Sequence, residues 1–186
     1  MRWTIHSERS VYESPWLGLH LADVEVPGGG PRFDAHVVRF PVAAVGTVVV
    51  RPGDGAILLL WRHRWATDSW GWEIPAGRAN EGESTVNAAV RETTEETGWR
   101  PIDLAPLLTY YPAIGSSDLR FHLFRATASE YVGEPVDTWE AERVEWLPQA
   151  GVRAAISRGD ITSGMTLTGL LYHFTAPVMD IGSRNG

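Results

Sequence analysis

Gly77–Trp99 reads GRANEGESTVNAAVRETTEETGW, and the fold turns on its second half. Ser84 stands where a helix N-cap belongs, Gly98 where a left-handed residue closes a helix, and Pro101 lies just beyond. The spacing predicts a helix over Ser84–Thr97. At about 100° per residue, Val86, Ala89, Val90, Thr93 and Thr97 share one arc, with Val86 and Val90 as apolar anchors on the core. Glu92, Glu95 and Glu96 fall on another arc, expected to face solvent. Neighbouring like charges repel by a few tenths of a kcal/mol per pair, and acids near a helix C-terminus oppose its dipole. A divalent cation relieves both costs. Three hard oxygen ligands at i, i+3 and i+4 suit Mg²⁺ or Mn²⁺, with waters and phosphate oxygens completing the shell. The helix alone leaves a merely solvated acidic face as the alternative.

Upstream, WTIHSERSVYES, LGLHLADVEV and FDAHVVRF read as three short strands separated by Ser-Pro and by PGGGP. AAVGTVVV and AILLLW are continuous apolar runs, expected as strands buried on both faces. Asp54-Gly55 between them is a hairpin signal. Downstream, LAPLLTYYP, LRFHLFRATA and RVEWLP read as strands. QAGVRAAISRG predicts a helix with Val152, Ala155 and Ile156 inward, and TLTGLLYHFT one with Leu167, Leu170, Leu171 and Phe174 inward. Strands alternating with few helices predict a mixed sheet covered by helices on both faces, an α/β class.

Composition bounds the function. The chain has 186 residues, 44% apolar and 21% charged, enough for one packed domain with a small extension. It has no cysteine, so disulfides, thiolate zinc sites and thiol nucleophiles are excluded. A net charge of −7 argues against a nucleic-acid partner. No apolar run is long enough to span a membrane, and no signal-peptide pattern opens the chain. The expectation is a cytoplasmic protein without a membrane partner.

Gly77, Glu83, Arg91, Glu92, Glu95, Glu96 and Gly98 stand at the spacing of the signature of the Nudix hydrolases, which this stretch resembles. Thr93 and Trp99 occupy its two bulky apolar slots. WEIPAG, YYPAIGSSDLRFHLFRA and RVEWLP…ISRGDITSGMTLTGLL extend the resemblance over nearly the whole chain, toward the ADP-ribose pyrophosphatase branch. The resemblance implies a Nudix α/β/α fold over 41–186, preceded by an antiparallel β extension over 1–40 that pairs two subunits into a homodimer. It implies Mg²⁺-dependent cleavage (Mn²⁺ as a substitute) of a nucleoside diphosphate linked to X. Ile114 and Leu119 depart from that branch, where proline and glutamate are expected, so the substrate class is ADP-ribose or an NDP-sugar.

Carried onto this chain, the resemblance makes Glu92 and Glu96 metal ligands, with Glu95 shared and the Ala76 carbonyl contributing. Gly77, Glu83 and Gly98 are structural, and Arg91 pairs with Glu83 and orients the acids. A general base is expected in DTWEAERVEW, where Glu142 is placed before Glu140. From the residues themselves, Arg62 and Arg64 lie on one side of an extended segment, available to fork onto phosphate. Glu73 either contacts the distal ribose or pairs with an arginine. Trp70 and Trp72 either stack on a base or pack in the core. Two competing readings remain: a nucleotide-sensing domain without turnover, against which the four retained glutamates count, and a diphosphate isomerase, against which the absence of cysteine counts.

Overall fold

The computed structural model describes residues 1–136 and 139–175. Three strands open the chain: β1 (Thr4–Glu13), β2 (Gly18–Glu25) and β3 (Arg32–Arg39), an antiparallel sheet in the order β1-β2-β3. It is tied to the rest of the molecule at one end. The Phe40 amide donates to Asp118 Oδ1 (2.9 Å), and Arg39 reaches both Glu8 and Asp118. Ile5, Val11, Tyr12 and Phe33 on this sheet are exposed, as is Trp3 just before it.

Two further sheets build the rest of the molecule. β4 (Ala44–Val49) lies between β7 (Ala76–Arg78) and β9 (Phe121–Tyr131), with β8 (Trp99–Tyr110) beyond, in the order β7-β4-β9-β8. The β4–β9 pair is parallel and the other two are antiparallel, so the sheet is mixed. The second sheet runs β10-β5-β6, from β5 (Ile57–Arg64), β6 (Ser69–Glu73) and β10 (Arg143–Leu147). Every residue of β4 is buried, Thr47 among its apolar neighbours included. Helix α1 (Thr85–Thr97) covers one face, where Ala88 and Ala89 pack on Val45 and Phe124. Helices α2 (Gln149–Arg158) and α3 (Gly164–Thr175) join the opposite core, where Val152, Ala155 and Leu170 meet Val48, Leu59, Trp72 and Leu123. A mixed sheet between helices with an antiparallel β extension is thus the fold.

Three expectations are corrected. The Asp54-Gly55 turn forms, with the Gly55 amide on Arg51 O and the Arg51 amide on Ala56 O, but it joins strands of different sheets. Only the Val50–Ile57 bridge marks the hairpin. The end of β6 and the start of β7 lie in WEIPAG. Leu171 on α3 is exposed, while Thr166 and Gly169 face inward with Leu170. On α1 the buried arc is rotated from the one expected: Ala88, Ala89, Thr93, Glu96 and Thr97 are inside and Val86 is 44% exposed. The two valines outweigh their neighbours in hydrophobicity, but the close approach of α1 to β4 and β7 selects small side chains instead.

Candidate active site

The acidic edge of α1 is set by its caps. Ser84 Oγ accepts the Asn87 amide (3.2 Å) and starts the helix. Gly98 ends it at φ 73°, a conformation that costs glycine nothing. A Cβ there would also overlap the Gly133 carbonyl, so the position has no room for another residue. Gly77 on β7 matters in the same way, because a Cβ would occupy the place of the Glu92 carboxyl group. Strand and helix can therefore approach until the Glu92 carboxylate lies against the β7 backbone.

Arg91 organises the exposed half of the site. Its Nε and one terminal nitrogen donate to the two Glu83 oxygens (3.0 and 2.9 Å). The other terminal nitrogen donates to Glu92 Oε1 (2.9 Å) and Glu95 Oε2 (3.0 Å), and the Arg78 carbonyl accepts a further bond (2.9 Å). The Arg91 guanidinium holds the Glu83 carboxyl below the usual carboxylate range, and the carboxylates together raise the arginine well above its own. Burial pushes the Glu92 carboxyl up despite that arginine.

Glu96 is not on the solvent side. It is 3% exposed, with Oε2 accepting the Ala76 amide (2.9 Å) and Oε1 accepting from Arg62 (2.7 Å). Burial pushes its carboxyl up to about 8, against the pull of Arg62 and the Ala76 amide, and Glu140 adds to the rise. The Leu58-Leu60-Arg62 alternation on β5 carries the explanation: Arg62 takes the third place on an inward face and is 2% exposed. Arg62 is therefore a buried partner of Glu96, and the exposed segment expected to present both arginines presents only Arg64. Its second terminal nitrogen lies 3.6 Å from Glu140 Oε2. Arg64, two residues on, is exposed and forks onto both Glu73 oxygens (2.9 and 2.5 Å). Trp72 and Trp70 lie on the opposite face of β6, where Trp72 joins the core and Trp70 stacks on Trp61, away from the acids. The Glu142 amide donates to Trp61 O (2.9 Å), and Glu142 lines a cleft of ≈ 400 Å³ with Glu96, Trp99, Tyr131 and Glu134.

Among the described residues no three acidic or histidine side chains close into a metal cage. The carboxylates are instead spread along one helix edge beside a glycine backbone. That donor set fits a hard divalent cation that keeps several waters and takes its remaining ligands from phosphates. Two features escaped the sequence reading. The Ala76 amide holds Glu96, and the Arg78 carbonyl holds Arg91. Main-chain groups carry no residue signature, although the break in apolar alternation at Arg62 does.

A carboxylate-lined helix edge, cradled by a glycine strand on a mixed sheet between helices, defines a hydrolase site of the Nudix type. The chain belongs to that family: the NUDIX domain model matches residues 41–163. It is a Nudix hydrolase with pyrophosphatase chemistry, in a family whose hydrolases use divalent cations. It is 39% identical over 171 residues to the CMP-5′-(N-acetyl-N-hydroxy-3-aminopropyl)phosphonate hydrolase of Streptomyces rubellomurinus, covering 92% of this chain and 82% of that one. It is 28% identical over 139 residues to the ADP-ribose pyrophosphatase of Bacillus subtilis, covering 75% and 74%. A crystal structure of an ADP compounds hydrolase superposes with a TM-score of 0.79 at 21% identity, covering 94% and 93%, which shows the shared fold. No helix among the described residues is long and apolar enough to cross a membrane.

Proposed function

We propose that the enzyme cleaves the phosphoanhydride of a nucleoside diphosphate derivative, NDP–X, with ADP-ribose or an NDP-sugar as substrate and Mg²⁺ as its cation. The observation that carries this reading is the acidic edge of α1, where Glu92 lies against the Gly77 backbone, Glu96 accepts the Ala76 amide and Glu95 pairs with Arg91. Glu92 and Glu96 would hold the metal, with Glu95 shared and the Ala76 carbonyl as a further ligand. The cation, when bound, polarises a phosphoryl oxygen, neutralises charge and lowers the pKa of an attacking water. Arg91 holds Glu92 and Glu95 in place, and Glu83 holds Arg91. Glu140 takes precedence over Glu142 as the base, because Glu140 lies beside Arg62 and Glu96 while Glu142 is anchored at the cleft rim. Arg64, with Glu73 behind it, meets the substrate at the exposed end of β5.

A second substrate reading is a cytidylyl phosphonate, favoured by the 39% identity to a phosphonate hydrolase across nearly the whole chain. A panel of ADP-ribose, NDP-sugars, CMP-linked phosphonates, dinucleoside polyphosphates and NADH, followed by ³¹P NMR with and without Mg²⁺, separates the two. Preference for a CMP-phosphonate would displace ADP-ribose and leave the site assignment unchanged. Residues 1–40 are proposed as a dimerisation element, because their exposed apolar side chains need a partner surface. A monomeric mass by light scattering at micromolar concentration would contradict this.

A further inference from the structure

We infer that Arg62 is a positioning residue, whose guanidinium fixes the Glu96 carboxylate and the Glu140 segment against one another without touching substrate. The inference rests on the proposed function, because it takes Glu96 as a metal ligand. A guanidinium removed from water costs several kcal/mol unless nearly all its donors are met. Arg62 occupies a place that the β5 pattern would fill with leucine, so its charge is retained at a cost that packing does not explain. Its surroundings show what it does. One terminal nitrogen donates to Glu96 Oε1 while the Ala76 amide holds Oε2. Each carboxylate oxygen is thus anchored by one rigid donor and keeps a lone pair for a further ligand.

The other terminal nitrogen faces Glu140 at 3.6 Å, and Nε is enclosed without an acceptor among the described residues. The segment carrying Glu140 is hung on the same strand, since the Glu142 amide is bonded to the carbonyl of Trp61, the residue before Arg62. One side chain and its neighbouring carbonyl therefore register the acidic segment against the helix. The Arg62 guanidinium is already committed to Glu96 and enclosed, whereas Arg64 on the same face is open.

Arg62→Lys preserves the charge and loses the planar fork, so it can meet Glu96 or Glu140 but not both. Partners behind a metal ligand typically change metal affinity or activity 10–100-fold. Mn²⁺ binding to the free protein, read by electron paramagnetic resonance, should weaken about tenfold. On the best substrate of the panel kcat should fall at least about tenfold, with KM within about twofold. A tenfold higher KM with unchanged Mn²⁺ affinity would make Arg62 a substrate contact and overturn the inference. Unchanged Mn²⁺ affinity and kcat would overturn it as well. Wild-type protein that binds no Mn²⁺ and turns over nothing would instead overturn the proposed function beneath it. Should the lysine variant fail to fold, a crystal structure of the wild type grown with Mn²⁺ decides. Arg62 within about 3.2 Å of Glu96 in the metal-bound state supports positioning, and Arg62 turned away from Glu96 contradicts it.

Discussion

Arg91→Ala removes the cation around which three carboxylates are arranged. Five hydrogen bonds disappear: two to Glu83, one each to Glu92 and Glu95, and one to the Arg78 carbonyl. A hydrogen bond to a charged group is worth about 1.5–3 kcal/mol in favourable settings. The Arg91 side chain is 27% exposed and Glu95 38%, so solvent screening reduces most of these well below that figure. The bidentate Glu83 pair, whose carboxylate is 17% exposed, keeps most of its value. A total of about 2–3 kcal/mol follows, or roughly 5–10 °C in Tm for a chain of this size. Differential scanning calorimetry in EDTA measures it. Saturating Mg²⁺ should then restore more Tm to the variant than it adds to the wild type, because the freed Glu92 and Glu95 gain a cation in place of the lost one. Arg91→Lys should recover less than half the loss, since it keeps the charge without the fork. A Tm within 2 °C of wild type for Arg91→Ala, with the same Mg²⁺ response, would refute the assignment of Arg91 as the organiser of the site.

Glu92→Gln and Glu96→Gln should each lower kcat at least about 100-fold, or roughly 3 kcal/mol in the barrier, in steady-state assays at saturating Mg²⁺. Arg64→Ala should raise KM about ten- to hundredfold with little change in kcat, the loss of one charge-assisted bond to substrate, and an unchanged KM moves the phosphate grip elsewhere. The Arg39 guanidinium beside Glu8 holds its carboxyl below the ordinary range. A depressed folded-state pKa stabilises above the unfolded value of about 4.3 and is lost as pH falls through the folded one. Glu8→Gln should therefore flatten the acid limb of a Tm–pH profile below about pH 4.3 and leave Tm at pH 7 lowered; an unaltered acid limb would show that this pair contributes nothing.

The helix and its caps were legible because Ser84, Gly98 and Pro101 each answer a backbone requirement that few residues meet. The mixed sheet was legible from apolar runs of strand length. The orientation of α1 was not, because hydrophobicity favours Val86 and Val90 over the alanines that close packing selects. The split into two sheets was equally hidden: a turn such as Asp54-Gly55 fixes a reversal of the chain, not the sheet that each arm joins. Of the site, the acidic edge and Arg91 stand in the signature by spacing. The burial of Glu96 against Arg62 depends on contacts 34 residues apart, and the sequence marks it only by one arginine at the end of Leu58-Leu60-Arg62.

The most direct test of the account is turnover of the substrate panel by wild type and Glu92→Gln, in Mg²⁺ and in EDTA, in water enriched with ¹⁸O. Mg²⁺-dependent hydrolysis is predicted, with ¹⁸O entering one phosphorus product, a nucleoside monophosphate released, and both EDTA and Glu92→Gln abolishing the reaction. Turnover that persists in EDTA, or undiminished turnover by Glu92→Gln at saturating Mg²⁺, would contradict the assignment of the α1 carboxylates as a metal-dependent catalytic site.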